Sequence, residues 1–227
     1  MTESLAPAPL PSWRLIPSQF PPIGLFDTVA TPADLAAVME LVGWTNDRLV
    51  AERIDRLPKE EWAYGRPNAS IVMAAFLHAA PTGMRFNGPE LGAWYAAADM
   101  RTAAAEVGHH LRREAAARGV PEVRRTYRSY SARLEGGYLD ISGSRSTRPE
   151  LYAPDGYSAS QAFGETIRAS GCDGILYASV RLGGGVNVVA YRPTKVEDIV
   201  QADHFEFSVQ AGRRTIDVRK LSSPIRN

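Results

Sequence analysis

A single cysteine in 227 residues leaves no intramolecular disulfide and no cysteine-rich zinc site. That residue, Cys172 beside Gly171, is expected to be a small buried hydrophobe rather than a reactive thiol. No run approaches the roughly 18 apolar residues needed to cross a bilayer, so no membrane partner is expected. Neither sign of charge is in excess: 26 Lys and Arg stand against 25 Asp and Glu, a net charge of +1. That balance gives no electrostatic reason to expect nucleic acid as a partner. The GxxxxGK[ST] phosphate loop and the GxSxG nucleophile elbow are both missing. The first residues, MTESLAPAPLPSWRLIPSQFPP, lack a basic-then-apolar leader, and the expectation is a cytoplasmic protein.

What is present suits an ordinary globular domain, with 44% hydrophobic and 22% charged residues. A chain of this length can bury a sizeable core without cross-links. Residues 1–22 hold six of the 16 prolines and read as an extended arm, with Trp13, Leu15, Ile16 and Phe20 able to dock. Thr31-Pro32 opens a helix carrying Leu35, Val38, Met39 and Val42, and a second helical piece is expected over 45–56. The apolar run Ser70–His78 has no decisive periodicity, and its β-branched start leans towards a strand. A short strand is expected over 91–96. Asp99 then caps a helix from about 100 to 117 with Ala103, Val107, Leu111 and Ala115 as its apolar stripe.

Strands follow at 122–134, 175–180 and 186–191, with a short one inside the polar loop 137–157 and one or two more near the C-terminus. A helix runs from Tyr157 to Ser170. The Gly183-Gly184-Gly185 run lacks the strand–GxGxxG–helix setting of a dinucleotide fingerprint and reads as a hairpin turn. Strands mixed with scattered helices and no βαβ rhythm indicate an α+β fold.

Three polar residues stand out in the Ala- and Gly-rich stretch MRFNGPELGAWYAAADMRTAAAEVGHH: Arg85, Tyr95 and Glu106. Glu106 is offset by about 100° from Val107 at the centre of the apolar stripe, so it flanks the buried face. On spacing alone it is equally a solvated glutamate paired with His110 or Arg113. His109 and His110 are neighbours and cannot share a helical face, which argues against a metal site.

The segments SIVMAAFLH, MRFNG and WYAAADMRTAAAEVGHHL, followed by LYAPDGYSASQAFGETIRASGCDGILYASVRLGGGVNVVAYRP, resemble the RES domain over residues 65–195. The leader WRLIPSQFPPIGLFDTVATPADL resembles that of longer members. The resemblance implies an ADP-ribosyltransferase-like mixed or antiparallel sheet core with flanking helices. It also implies a chain divided into an N-terminal arm and extension, 1–64, and a catalytic domain, 65–227.

It further implies the toxin half of a bacterial toxin–antitoxin pair that consumes NAD as substrate, without a metal, and binds an Xre-type antitoxin. By that match the site residues are Arg85, Tyr95, Glu106 and Ser179, with Asn187 a looser fifth. Glu106 would stabilise the cationic ribose, Arg85 would bind pyrophosphate, Tyr95 would stack or bond to ribose, and Ser179 would hold the nicotinamide end. Arg181, two residues beyond Ser179, would reach phosphate or pair with a surface carboxylate. One departure is Ala178, where the family strand usually carries proline; the segment between the Glu106 helix and the Tyr157 helix is also long. Hydrolysis or phosphorolysis of NAD, transfer of ADP-ribose to a protein, and a silent binding module all remain open at this stage, as does homo-oligomerisation.

Overall fold

The computed structural model describes residues 4–19, 24, 26–35, 37–38, 52–53 and 55–221. Among these, nine strands form one sheet: β1 (Ser4–Ala6), β2 (Ser12–Pro17), β3 (Trp94–Ala97), β4 (Glu122–Leu134), β5 (Tyr138–Asp140), β6 (Gly174–Ala178), β7 (Val186–Ala190), β8 (Val196–Gln210) and β9 (Ile216–Leu221). Their spatial order is β1-β5-β6-β7-β3-β2-β4-β8-β9. Every pairing is antiparallel except β5 with β6. With three long helices, α1 (Ala69–Leu77), α2 (Met100–Ala117) and α3 (Ser158–Ala169), the fold is α+β. None of the described helices is long and apolar enough to cross a membrane.

The N-terminal segment corrects the expectation of an extended arm. β2 lies inside the sheet, hydrogen-bonded along its whole length to β4 and touching β3 on its other side. The prolines flank a proline-free core, Ser12–Ile16, whose N–H groups are all available to the ladder, and only the terminal Pro17 lacks a donor. Thr31 is the helix cap expected of it. Its hydroxyl accepts from Asp34 N (3.2 Å) while the Asp34 carboxylate accepts from Thr31 N (3.0 Å), and residues 32–35 and 37–38 are helical. Met39, Val42 and most of 45–56 lie outside the described residues; 52–53 and 55–56 are helical.

The run Ser70–His78 is not a strand but α1. Ala69, Val72, Met73 and Phe76 are fully buried and Ile71 and Leu77 nearly so. A helix buried on nearly every side carries no amphipathic period, which is why its pattern could not separate it from a strand. Its first turn is capped from a distance: Asp27 accepts from Asn68 N (3.1 Å), Ser70 N (2.8 Å) and the Ser70 hydroxyl (2.7 Å). The α2 helix begins as expected, with Asp99 accepting from Thr102 N and from the Thr102 hydroxyl at 2.8 Å each. Gly183–Gly185 joins β6 to β7 as a hairpin, with Gly184 at φ +77°.

Apolar packing falls into three clusters. Along one face, α1 packs with Trp94, Ala96, Tyr130, Val188 and Ala190. On the other, one cluster gathers Phe86, Tyr177, Val189 and Tyr191 with Phe163 and Ile167 of α3, and another gathers Leu111 and Ala115 of α2 with Val123, Tyr127 and Phe207. Strand alternation therefore sends Trp94 and Tyr95 to opposite faces. The α2 and α3 helices cover neighbouring patches of the Tyr95 face, and the site lies between them.

Candidate active site

Glu106 sits two turns into α2, and its carboxylate is held from two strands. Oε1 accepts from the Ser179 hydroxyl and from Asn187 Nδ2, each at 2.8 Å. Ser179 follows the last residue of β6 and is 2% exposed; Asn187 on β7 is 3% exposed. The Ser179 oxygen in turn accepts from the backbone N–H of Arg181 and of Leu182, both at 3.1 Å. Two donors thus fix one carboxylate oxygen, and one of them is itself held by two backbone N–H groups. Glu106 Oε2 has no hydrogen-bond partner among the described residues. The pairing with His110 or Arg113 does not form: Arg113 lies 3.9 Å from Asp155 instead. His110 stands one turn along from Glu106 with no hydrogen bond to it. Desolvation holds its pKa below the usual value; Arg181, Arg113 and Arg85 act in the same direction and Glu106 opposes.

Arg85 is buried, not solvated as an arginine after a turn would ordinarily be. Its Nη1 donates to the carbonyls of Leu151 (3.2 Å) and Ala153 (2.9 Å), and its guanidinium lies over the Tyr157 ring, 4.6 Å from the centroid. Tyr95 on β3 faces the same side. Its hydroxyl accepts from Phe86 N (2.9 Å) and donates to Asn87 Oδ1 (2.8 Å), so it clamps the segment that carries Arg85. Burial pushes the Tyr95 pKa far above its ordinary value, and the hydroxyl stays neutral. Arg181 is half-buried and donates to the Pro154 carbonyl at 2.7 Å; it closes a loop, and among the described residues it makes no salt bridge to a carboxylate.

These side chains border one cavity of about 840 Å³, lined by Arg85, Tyr95, Glu106 and Asn187 together with Tyr157, Tyr177 and His110. That volume falls within the range of small-molecule sites, roughly 300–1,000 Å³. All five residues singled out in the sequence meet here, with Ser179 reaching the cavity through Glu106. Sequence reasoning missed Tyr157, which backs Arg85, and Asn87, which anchors Tyr95. It also missed Arg14, which lines the cavity from β2 and whose only sequence signal is a cation inside a strand otherwise apolar. Cys172 is half-buried, with Sγ 3.3 Å from the Gly174 carbonyl. Among the described residues, no group of three or more His, Cys, Asp and Glu side chains is arranged to hold a metal ion.

A mixed, mostly antiparallel sheet with a carboxylate, an arginine, a tyrosine, a serine and an asparagine around one cleft defines an α+β domain with an enzyme-like site. The RES domain pattern matches residues 53–210, which include all five of those residues, and the chain belongs to that family. Among solved structures the chain is similar to the crystal structure of the M. tuberculosis MbcT–MbcA toxin–antitoxin complex. The identity is 14%, the match covers 88% of this chain and 87% of that one, and the TM-score is 0.47. No curated protein matches the chain.

Proposed function

We propose that this protein is an NAD-consuming enzyme that cleaves the nicotinamide–ribose bond, and that it is the toxin of a bacterial toxin–antitoxin pair. The observation that carries the reading is the Glu106 carboxylate, with one oxygen fixed by Ser179 and Asn187 and the other unpartnered, on the wall of a cavity that also presents Arg85. Family membership supports the same reading.

The chemistry asks for that kind of site. The C1′–N bond breaks with its electron pair passing to the nicotinamide ring, which neutralises the pyridinium. The leaving group therefore needs no proton. Positive charge builds on the ribose, as in glycoside hydrolysis. A carboxylate held in place beforehand stabilises that charge without reorganising as the bond breaks. Glu106 Oε2 accepts a ribose hydroxyl and faces the developing cation. Ser179 and Asn187 position it by way of Oε1. Arg85, with Nη1 tied to two carbonyls, has Nε and Nη2 left for phosphate oxygens. Water or phosphate then adds to C1′ and gives up a proton. The Ser179 hydroxyl is spent on Glu106 Oε1 and acts as a positioning group for that carboxylate, not as a nucleophile. An Xre-type antitoxin covers the cleft in the resting pair.

The test is incubation of the purified, partner-free chain with NAD labelled in the adenosine half. Free nicotinamide with labelled ADP-ribose or its phosphate supports degradation; label on protein supports transfer. Intact NAD after prolonged incubation would overturn the enzymatic reading, and harmless expression with steady cellular NAD would overturn the toxin.

A further inference from the structure

The sheet ends differently at its two edges. β1 is three residues long and runs at once into Pro7, Pro9 and Pro11, which leaves little backbone for another strand to pair with. β9 is six residues long and pairs with β8 along all of them; on its other side it has no neighbour among the described residues. Its outward N–H and C=O groups are an open ladder. Asp217, Val218, Arg219 and Lys220 are all exposed, Val218 to 45%.

Charge on an edge strand ordinarily keeps other strands away. Here an acid and a base flank Val218, and symmetry gives that order a meaning. Two identical chains that pair edge to edge about a two-fold axis run antiparallel, with the axis normal to the sheet. Side chains alternate faces, so only residues an even number apart can stand opposite one another. Centring the axis on Asp217, Arg219 or Lys220 sets that charge against its own copy, which is destabilising. Centring it on Val218 sets Val218 against the partner's Val218. Asp217 then faces the partner's Arg219, twice over, and Ile216 faces the stem of the partner's Lys220.

The side chains suit that register on both faces. Val218 stands opposite the fully buried Phe207, on the side covered by α2, so the joint prolongs an apolar row. On the other face Arg219 is already held by Glu206 at 2.9 Å, whereas Asp217 has no ion pair among the described residues. We propose that β9 is a self-association edge, at which two copies of this chain join antiparallel about a two-fold axis at Val218 and continue the nine-stranded sheet from one copy into the other. With the axis normal to the sheet, α2 and the cleft beside it lie on the same face in both copies. So short an edge buries little area, and the dimer is a weak one. Pairing at β9 does not depend on NAD chemistry.

Sedimentation velocity of the purified full chain, from about 1 to 500 µM, should show a reversible dimer. Amide exchange over residues 216–221 should slow as concentration rises. Asp217→Arg and Arg219→Asp each set like charges together at both contacts, and each should weaken association at least about tenfold. Mixed in equal amounts, the two variants present opposite charges to one another, and a heterodimer should form with near wild-type affinity. Neither a misfolded variant nor a different interface would give that recovery.

Arg219→Asp places an acid beside Glu206. Should it not fold, Val218→Lys, at an exposed position, sets two lysines on the axis and should abolish both the dimer and the concentration-dependent protection. A wild-type chain that stays monomeric throughout the range overturns the proposal. So does a dimer that survives the charge reversals or Val218→Lys, or a mixture of two folded variants that remains monomeric.

Discussion

The Ser179 hydroxyl donates to Glu106 Oε1 at 2.8 Å across 73 residues of sequence, which joins the end of β6 to the middle of α2. Asn187 donates to the same oxygen across 81 residues. The carboxylate is therefore oriented by the β6–β7 hairpin rather than by its own helix.

Glu106→Gln keeps the size of the side chain and removes its charge. Release of nicotinamide by this variant should fall about 10²–10³-fold, the usual effect of removing one preorganised electrostatic group. The thermal midpoint should stay close to wild type. A rate within a fewfold of wild type would exclude Glu106 from charge stabilisation.

Ser179→Ala and Asn187→Ala each take one donor from Glu106, and each should lower kcat about tenfold. Because both act through one oxygen, the double variant should lose less than the product of the single losses. Ser179→Ala also strips the acceptor from the N–H groups of Arg181 and Leu182 and should cost about 1–2 kcal/mol in urea unfolding. Additive kinetic effects would show that the two residues act independently.

Tyr95→Phe deletes a hydroxyl that serves Phe86 and Asn87. The orphaned groups should cost about 1–3 kcal/mol of stability. Loosening the segment that bears Arg85 should raise KM more than it lowers kcat. Unaltered stability would contradict the clamp.

Gly164 of α3 packs directly on the Phe86 backbone, where a Cβ would meet the Phe86 carbonyl oxygen. Backbone cannot swing aside as a side-chain tip can. Gly164→Ala should destabilise by about 1–3 kcal/mol and weaken substrate binding through Arg85, the neighbour of Phe86. Thermal melts and KM of the one variant check both.

His109 carries a buried Nε2 without a partner, and its pKa is depressed to about 4, first by desolvation and then by Arg181, His110, Arg113 and Arg112. Below its ordinary 6.5 the unfolded chain binds a proton that the folded chain refuses. Stability from this residue is complete above that pH and drains away as pH falls towards 4. The loss should be about 1–2 kcal/mol, less than the full ~1.4 kcal/mol per unit because the ring is partly solvated. Urea midpoints at neutral and acid pH should differ less in His109→Phe than in wild type.

Much of the local structure is legible in the sequence. The α2 cap at Asp99, the stop at Gly119 and the β6–β7 hairpin all rest on bonds or dihedrals closed within a few residues. The site residues were legible through resemblance to the RES domain, not through spacing: on helical geometry alone Glu106 was as good a partner for His110 as for anything else. α1 misled because a helix buried on nearly every side shows no period, and the N-terminal segment misled because its prolines obscured the proline-free strand between them.

Local pattern was enough to set which segments are helical or extended wherever a cap, a turn or an amphipathic stripe spoke, and resemblance to the RES domain singled out the candidate site residues. Three-dimensional packing was needed to bring Glu106 to Ser179 and Asn187, to let Asp27 cap a helix 43 residues away, and to part β2 from β3 around Arg14. The reason is one of range. A cap or a turn is set by the dihedrals of a few adjacent residues. A contact across 70 or more residues depends on strand order and register, to which the whole core contributes.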